Sequence, residues 1–264
     1  MSAMTDAPIL GLPVTAAAIR DLERICPGAV ARDVSLASIS CWRIGGIADV
    51  IVRPRGIEEL ARLRVWLHAQ GLAHVVIGAT TNLLFADEGL RVVCVQIGSA
   101  LSAINVTGEQ VTAQAGAWSP GLARRSMQGG LTGAEHICGI PGTLGGLICM
   151  NGGSQRMGIG SSVLTVTSIN RAGERVLRTQ ADCGFAYRTS VFQGADEIIA
   201  EAELRFKTAR DRATVRREML DILASRRRKF PQKLPNCGSV FVSDPAMYAE
   251  HGPPGAVIER LGLK

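Results

Sequence analysis

The sequence predicts an α+β protein made of two unlike segments followed by a shorter third one. Residues 1–98 contain a leader and then a strand–helix–strand unit with one extra strand. Residues 99–208 contain two hairpins and a further strand, and residues 209–264 open with a long helix. Because the second segment is mostly strand, it cannot be a repeat of the first, and we expect three parts of different construction.

Hydrophobic periodicity defines the elements of the first segment. Leu60, Leu63 and Leu67 recur at helical spacing in a helix predicted over Ile57–Gln70, which Gly71 ends. Residues before Leu36 are interpreted as a variable leader with one short helix. That helix is predicted at Ala16–Arg24, and strands are predicted at Ala48–Arg53, His74–Ile77 and Arg91–Ile97.

In the second and third segments, glycine marks the turns. Hairpins are predicted around Thr107-Gly108 and Ala172-Gly173. The predicted strands are Leu101–Val106, Gln110–Ala115, Val163–Asn170, Glu174–Thr179, Glu197–Phe206 and a short one at Val240–Val242. The predicted helices are Pro120–Met127, Ala209–Lys229 with the apolar stripe Val215, Met219, Ile222 and Leu223, and one that follows Pro253-Pro254 and runs to Arg260.

Composition narrows the class of protein. Apolar residues are 47% and charged residues 20% of the chain, as in globular proteins. No apolar stretch approaches the roughly 20 residues of a membrane helix, and no secretory signal is visible, so we expect no membrane association. The seven cysteines form no CxxC pair and are odd in number, which argues against a metal site or a disulfide framework and favours a cytoplasmic location.

The net charge of +6 has its main source between Lys207 and Lys233. Nucleic-acid binding is one interpretation of that basic stretch. A solvated helix face, helped by a phosphate-bearing ligand, is the other. We favour the second and predict no nucleic-acid partner, because no nucleic-acid motif or set of stacking aromatics accompanies the arginines.

The first candidate binding motif is Gly78–Leu84, directly after a predicted strand. Small residues let consecutive backbone N–H groups turn toward one anion, and such a concave array can bind a pyrophosphate. Thr80, Thr81 and Asn82 could add side-chain donors. An ordinary strand-to-loop turn is the alternative.

The second motif is Gly139–Gly146, followed by Asn151. Four glycines and a proline in eight residues are expected to exclude a regular helix or a central strand and to let a flat or phosphorylated cofactor approach the backbone. The spacing is not the dinucleotide fingerprint, which needs G-x-G-x-x-G between a strand and a helix. A purely structural glycine-rich loop is the alternative.

Two further motifs carry candidate catalytic side chains. Tyr187-Arg188-Thr189-Ser190 contains an arginine, which cannot lose its charge at working pH and can therefore hold an enolate or a carboxylate. Asn236–Phe241 places Ser239 between a glycine and an apolar run, where a serine could donate a proton. Alone, each could equally be an ordinary surface or turn residue.

Taken together and in this order, the four motifs resemble the flavin-dependent UDP-N-acetylenolpyruvoylglucosamine reductases. The resemblance covers about Ser40–Lys264 and also includes Arg43–Gly46, Asp87–Gly89, Gly133–Glu135 and the terminal Gly262–Lys264. It implies a two-subdomain FAD-binding fold of the vanillyl-alcohol-oxidase type, with subdomains at 1–98 and 99–208 and a partial substrate domain at 209–264.

The resemblance also implies a mechanism and a set of site residues. NADPH reduces FAD, the reduced flavin passes hydride to C3 of the enolpyruvyl group of a nucleotide-sugar, and an acid protonates C2. Arg188 would stabilise the enolate, and Ser239 would donate the proton. The implied FAD-binding residues are Gly78, Ala79, Thr80, Thr81, Asn82, Leu83, Gly139, Ile140, Pro141, Gly142, Thr143, Gly145, Gly146 and Asn151. A monomer is expected.

Three departures from the family pattern accompany the resemblance. Thr80-Thr81-Asn82 stands where the family usually has Gly-Ser-Asn, and Gly152–Arg156 replaces a segment that tends to Ala-Gly-Ala followed by an aromatic residue or histidine. The family pattern continues beyond Lys264 to a late glutamate that assists protonation. We therefore expect the chain as given to bind FAD but to reduce the nucleotide poorly or not at all. A flavin oxidoreductase with another substrate and an FAD-binding protein without turnover are the alternatives.

Overall fold

A four-stranded sheet forms the first half of the computed structural model, which describes residues 14–155, 157–230, 234–236, 238, 240–241 and 245–263. Its strands are β1 Val30–Ser35, β2 Ile47–Val52, β3 His74–Ile77 and β4 Leu90–Gln96, in the order β1-β2-β4-β3. β2, β4 and β3 are parallel, and β1 is antiparallel to β2. Three of these strands are those predicted, within one residue at each end.

The strand β1 contradicts the interpretation of residues before Leu36 as a leader with a single helix. Its sequence carries Arg32 and Asp33 in the middle, and Asp33 has a φ of 51°. Those residues interrupt the alternation that identifies a strand from sequence. β1 is an edge strand, and none of its six residues is fully buried. Backbone pairing with β2 from Val30 to Ser35 therefore holds it in place.

Helices cover both faces of this first sheet. α1 Ala16–Ile25 and α3 Ile57–Ala69 lie on one face, where Leu22 and Leu63 pack with strand residues such as Val50 and Val93. The short α2 Leu36–Ile39 lies on the other face, where Leu36 packs with Ile51, Ile77, Phe85 and Cys94. The periodicity that predicts α3 therefore marks a buried stripe.

A five-stranded antiparallel sheet forms the second half. Its strands are β5 Ile104–Thr107, β6 Gln110–Gln114, β8 Val163–Asn170, β9 Arg175–Thr179 and β10 Glu197–Arg205, in the order β5-β6-β10-β8-β9. β7 Leu131–Thr132 and β11 Lys207–Thr208 form a separate ribbon. Both predicted hairpins are confirmed, β5–β6 and β8–β9. Both could be predicted because each has a glycine in its turn.

The two halves share one hydrophobic core, which runs from α1 and α3 into the second sheet. A buried polar contact reinforces the junction. The guanidinium of Arg64 on α3, whose residue is 1% exposed, donates to the Asp196 carbonyl at 2.9 Å and to its carboxylate at 2.5 Å. Its other terminal nitrogen lies 2.6 Å from Nε2 of His74. α3 is therefore fixed to the loop that enters β10.

The remaining helices are α4 Ser119–Gln128, α5 Leu144–Cys149, α6 Arg212–Lys229, α7 Pro245–His251 and α8 Pro254–Arg260. α6 begins at Arg212 and not at Ala209, because Asp211 caps it by accepting from the amides of Ala213 and Thr214 at 3.0 and 2.9 Å. Its predicted stripe packs on the core. No helix among the described residues is long and apolar enough to cross a membrane.

Two further differences concern glycine and the tail. The glycine block was expected to exclude helix, yet α5 contains Gly145 and Gly146. Tertiary contacts described below outweigh the propensity cost of glycine, which is about 1 kcal/mol per residue. A strand was expected at Val240–Val242, but Val240 and Phe241 lie outside any strand and are exposed. Val242 lies outside the described residues.

Candidate functional site

The first glycine loop and the glycine block meet in space. Thr81 Oγ1 donates to the Pro141 carbonyl at 3.0 Å, across a separation of 60 residues. A Cβ placed on Gly78 would lie 2.5 Å from Thr143 Oγ1, and one placed on Gly142 would lie 3.2 Å from Thr81 Oγ1. Gly78 and Gly142 therefore permit close approach between a loop of the first sheet and a loop beside the second.

The end of β6 fixes the position of α5. The amide of Leu144 donates to the Ala117 carbonyl at 2.8 Å, and the amide of Gly145 donates to the Ala115 carbonyl at 2.7 Å. A Cβ on Gly145 would lie 3.1 Å from the Ala115 Cβ, closer than side chains usually approach. Thr143 caps the helix. These contacts explain why a glycine-rich stretch is helical here.

A cavity of about 410 Å³ lies where the two sheets meet. Its volume is within the range of small-molecule sites, roughly 300–1,000 Å³. A Cβ on Gly98 would meet no protein atom within 4 Å, so open space remains beside that backbone. The cavity is lined by Gly78, Ala79, Gln96, Ile97, Gly98, Ser99, Ser102, Ile104, Gly116, Trp118, Gly121, Arg125 and Thr143. Both predicted binding motifs contribute to its wall.

The other end of α5 holds Asn151 against the arginine turn. Asn151 Oδ1 accepts from the Gly160 amide at 2.9 Å, and its Nδ2 donates to the Ala186 carbonyl at 2.8 Å. Ser190 Oγ donates to the Cys149 carbonyl at 2.7 Å. Two contacts therefore join the chain around Arg188 to the end of the helix.

Arg188 lies on a tight turn. The Thr189 amide donates to the Ala186 carbonyl at 3.2 Å, and Arg188 has a φ of 55°. Its side chain is exposed, and the guanidinium carbon lies 5.8 Å from the centre of the Tyr187 ring. A second cavity, of about 470 Å³, adjoins this turn and is lined by Asn151, Gly158, Gly160, Ser161, Gln180, Ala181, Gly184 and Phe185.

Backbone strain concentrates in the motifs. Of six described non-glycine residues with positive φ, four lie in segments that carry the resemblance: Arg43, Thr80, Asn151 and Arg188. Such conformations cost about 1–3 kcal/mol each and cluster at functional sites. Thr80 has a φ of 55°, which explains why the family pattern has glycine there. Its hydroxyl donates to the Ile39 carbonyl at 2.7 Å, and that bond offsets part of the strain.

Some predicted residues stand apart from this arrangement. Gly139 faces α6, because a Cβ there would lie 2.4 Å from Cδ of Arg226. Ile140 packs against the core, whereas Asn82, Leu83 and Gly146 are exposed. Arg188 and Thr143 adjoin opposite ends of α5, whose six residues span about 9 Å. The structure therefore groups the predicted residues into two sites joined by one helix.

Ser239, the predicted proton donor, lies outside the described residues, and so does Cys237. Asn236, three residues before Ser239, is described. Its amide donates to the Cys41 carbonyl at 3.1 Å, and the Cys41 thiol donates to the Ala79 carbonyl at 3.6 Å. Asn236 is therefore linked through Cys41 to the first glycine loop.

Several ionisable groups in the protein have pKa values shifted by their surroundings. Burial raises the pKa of the Cys149 thiol and lowers the pKa of His136, so both are neutral near pH 7. Five described carboxyl groups have a lowered pKa: Glu109, Asp182, Asp196, Glu197 and Asp211. Hydrogen bonds are the main cause for four of them. Burial would raise the pKa of Asp196, but its hydrogen bond and ion pair with Arg64 lower it overall. None of these five carboxyl groups would hold a proton for delivery at neutral pH.

Part of the cavity wall lies outside the motifs that could be recognised from the sequence. Trp118, Gly121 and Arg125 line the cavity but belong to none of the four motifs. Their spacing of three and four residues, across the start of the helix predicted at Pro120–Met127, was the signal that could have grouped them on one face. Gln96 and Ser99 carried no such signal, since only the packing of the two sheets brings them to the cavity.

Gly78→Ala is expected to weaken ligand binding at the first cavity and to lower the melting temperature. The new methyl group would displace Thr143 Oγ1 and disturb the cap of α5. Losing such a cap costs about 0.5–2 kcal/mol. Thermal unfolding checks the result. Gly194→Ala is the matched control, because a Cβ there meets nothing within 4 Å and φ is −120°. Equal melting temperatures for the two variants would contradict the assigned packing.

The sequence matches a known family model and several named proteins. A family model described as FAD binding domain matches residues 48–179. UDP-N-acetylenolpyruvoylglucosamine reductase 1 of Corynebacterium glutamicum is 42% identical over 234 residues, which are 89% of this chain and 70% of that protein. The UDP-N-acetylenolpyruvoylglucosamine reductase of Synechococcus sp. strain CC9311 is 35% identical over 246 residues, 90% of this chain and 76% of that protein.

Solved structures agree. The UDP-N-acetylenolpyruvylglucosamine reductase (MurB) of Thermus caldophilus matches with a TM-score of 0.75 and 26% identity, covering 89% of this chain and 80% of that one. Alkyldihydroxyacetonephosphate synthase matches with a TM-score of 0.56 and 17% identity over 75% of this chain and 41% of its own. The second likeness concerns the fold alone. The first structure and the family model confirm the α+β FAD-binding fold expected from the sequence.

Proposed function

Since the chain belongs to the UDP-N-acetylenolpyruvoylglucosamine reductase family and is a flavin-dependent oxidoreductase, we propose that it reduces UDP-N-acetylglucosamine enolpyruvate to UDP-N-acetylmuramate, with FAD as cofactor and NADPH as electron donor. The observation that carries this proposal is the meeting of the two glycine motifs at one cavity between the sheets. Such small-residue loops leave room for a phosphorylated cofactor at the backbone.

The residues present fit FAD. The loops at Gly78–Thr81 and Gly142–Thr143 would hold its pyrophosphate, and the far end of α5, with Asn151, would face its flavin end. Bound FAD would supply hydride transfer. The separation of the two sites along α5 supports this assignment, since a ribityl chain separates the pyrophosphate of FAD from its flavin ring.

Arg188 would act on the substrate and not on the cofactor. Its turn adjoins the second cavity, and none of the described ion pairs involves it. A guanidinium keeps its charge at working pH, so it can stabilise negative charge on an enolate without giving up a proton. Ser239 would then supply the proton at C2, in line with the link of the nearby Asn236 to the first glycine loop.

The organisation of the protein is part of the proposal. We propose subdomains at 1–98 and 99–208 and a partial substrate domain at 209–264. The end of β4 at Gln96 and the end of the ribbon strand β11 at Thr208 support these boundaries. The six described cysteines are free, which supports a cytoplasmic location, where thiols stay reduced. We propose a monomer without a nucleic-acid partner.

Flavin content tests the proposal first. The purified protein is expected to be yellow and to release FAD on denaturation. NADPH oxidation that depends on the enolpyruvyl nucleotide, followed at 340 nm, tests the substrate. A yellow protein that oxidises NADPH only with other acceptors would point to a different substrate. A colourless protein that takes up no added FAD would overturn the proposal.

A further inference from the structure

The side chain of Gln193 bridges the Arg188 turn and the end of α5. Its Nε2 donates to the Arg188 carbonyl at 2.9 Å and to the Cys149 carbonyl at 3.1 Å. An amide nitrogen carries two hydrogens, so this one group can serve both carbonyls. Gln193 therefore connects the backbone of Arg188 directly to a helix that lies far from it in the sequence.

The Cys149 carbonyl is a suitable anchor because it belongs to the last turn of α5, where carbonyl groups have no partner within the helix. Ser190 Oγ donates to the same oxygen at 2.7 Å. Ser190 and Gln193 flank a short 3₁₀ turn, Val191–Gln193. Ser190 fixes that turn to the helix, and Gln193 extends the attachment to the Arg188 backbone.

Arg188 has a backbone conformation that needs support. Its φ is 55°, and a residue other than glycine keeps such a strained conformation only where its surroundings impose it. Two hydrogen bonds between Ala186 and Thr189, of 3.1 and 3.2 Å, close the turn on either side of Arg188. Gln193 binds the carbonyl of Arg188 itself. Because the Arg188 side chain is exposed, its backbone determines where the guanidinium can reach.

We propose that Gln193 is a positioning residue, which holds the Arg188 backbone against the end of α5 and so places the guanidinium relative to the flavin end of that helix. The inference rests on the proposed function, which assigns Arg188 to the substrate. The amides of Leu144 and Gly145 fix the opposite end of α5 beside the glycine loops. The helix is then a spacer of fixed length between the cofactor loops and Arg188.

Limited proteolysis by trypsin tests the contact without any enzymatic activity. Trypsin cleaves after arginine, and the carbonyl that it must attack at Arg188 is the one that Gln193 binds. Gln193→Leu is expected to speed cleavage of the Arg188–Thr189 bond by about three- to tenfold, the factor that one hydrogen bond is worth. Cleavage after Arg171, in the exposed turn between β8 and β9, is the internal reference and should keep its rate.

Two further variants separate the hydrogen bonds from general stability. Gln193→Lys keeps donors at the same position and should restore slow cleavage after Arg188. Gln128→Leu makes the same exchange at an exposed glutamine that ends α4, and should change neither cleavage rate. The melting temperature of Gln193→Leu should stay close to that of the unmodified protein, because Gln193 is exposed and Ser190 still binds the Cys149 carbonyl.

The two half-reactions test the consequence for the substrate. With FAD bound, Gln193→Leu should slow reoxidation of the reduced flavin by the enolpyruvyl nucleotide about tenfold, since a small displacement of a reacting group is costly. Reduction of the flavin by NADPH should stay within twofold. In an Arg188→Ala background, Gln193→Leu should cause no further loss, because it acts through Arg188.

The outcomes distinguish this inference from the proposed function. A protein that takes up no FAD would overturn the proposed function, and trypsin cleavage would still decide whether Gln193 holds Arg188. Equal cleavage after Arg188 in Gln193→Leu and the unmodified protein would overturn the inference alone, even where the chain is not reoxidised. Faster cleavage after both Arg188 and Arg171, or a further loss in the Arg188→Ala background, would also overturn it, since either result would show a general structural role.

Discussion

In a form of the protein with measurable turnover, Arg188→Lys is expected to lower turnover by about 10²–10³-fold while the reduction of bound flavin by NADPH stays nearly unchanged. Lysine keeps a positive charge but lacks the planar fork that holds two oxygens at once. Because we place Arg188 beside the substrate, only the step that builds negative charge on the substrate should suffer. Stopped-flow absorbance at 450 nm measures the two half-reactions separately.

The control for this variant is a change at another turn. Arg171→Lys alters an exposed arginine in the hairpin turn between β8 and β9 and should leave both half-reactions intact. Arg188 has positive φ, so lysine inherits the same backbone constraint and the substitution tests the side chain alone. Equal damage to both half-reactions would show that Arg188 holds the turn and does not act on the substrate.

Ser239→Ala is expected to stop the reaction after flavin reduction, with product formation reduced by about 10²–10⁴-fold. The reason is the proposed role of its hydroxyl as proton donor. Flavin reoxidation by the enolpyruvyl nucleotide, followed after anaerobic reduction, measures the step directly.

Cys237→Ala tests the neighbouring side chain that could take over this role. It removes a thiol two residues away and is expected to have a mild effect. A severe loss in Cys237→Ala with near-normal reoxidation in Ser239→Ala would transfer the donor role to the cysteine. Severe loss of flavin reduction by NADPH in Ser239→Ala would instead indicate a structural defect.

Elements whose signal is local could be predicted from the sequence. The leucines of α3 and the glycine turns of the two hairpins are read within a single element, and the structure has these elements within a few residues. β1 could not be found in this way, because an edge strand with Arg32 and Asp33 at its centre depends on its neighbour and not on its own pattern.

α5 is a helix that the sequence prediction excluded. Gly145 and Gly146 argue against a helix when propensity is considered alone. The bonds from the amides of Leu144 and Gly145 to the chain around Ala115–Ala117 exist only once the second sheet has formed. Tertiary contacts therefore decide the local structure of α5. A prediction from the helix propensity of its own residues cannot include the energy of those contacts.

The candidate site likewise has residues that carry a local sequence signal and residues that only tertiary packing brings to the cavity. The glycine motifs could be found because close approach demands a residue type, and they meet at the first cavity. Trp118 and Arg125 have ordinary side chains whose importance depends on what faces them. The packing of two sheets that are distant in sequence determines that environment, and no short pattern encodes it.

The contact of Arg64 with Asp196 has a consequence for how cofactor enters and leaves. Many two-lobed proteins open like a jaw around a hinge, but here a buried guanidinium and a continuous apolar core lie across the place where a hinge would have to bend. Opening there would break the bonds of Arg64 to Asp196 and expose part of the shared apolar core to water. We therefore expect exchange of the cofactor to depend on movement of the loops around the cavity and not on a hinge between the lobes.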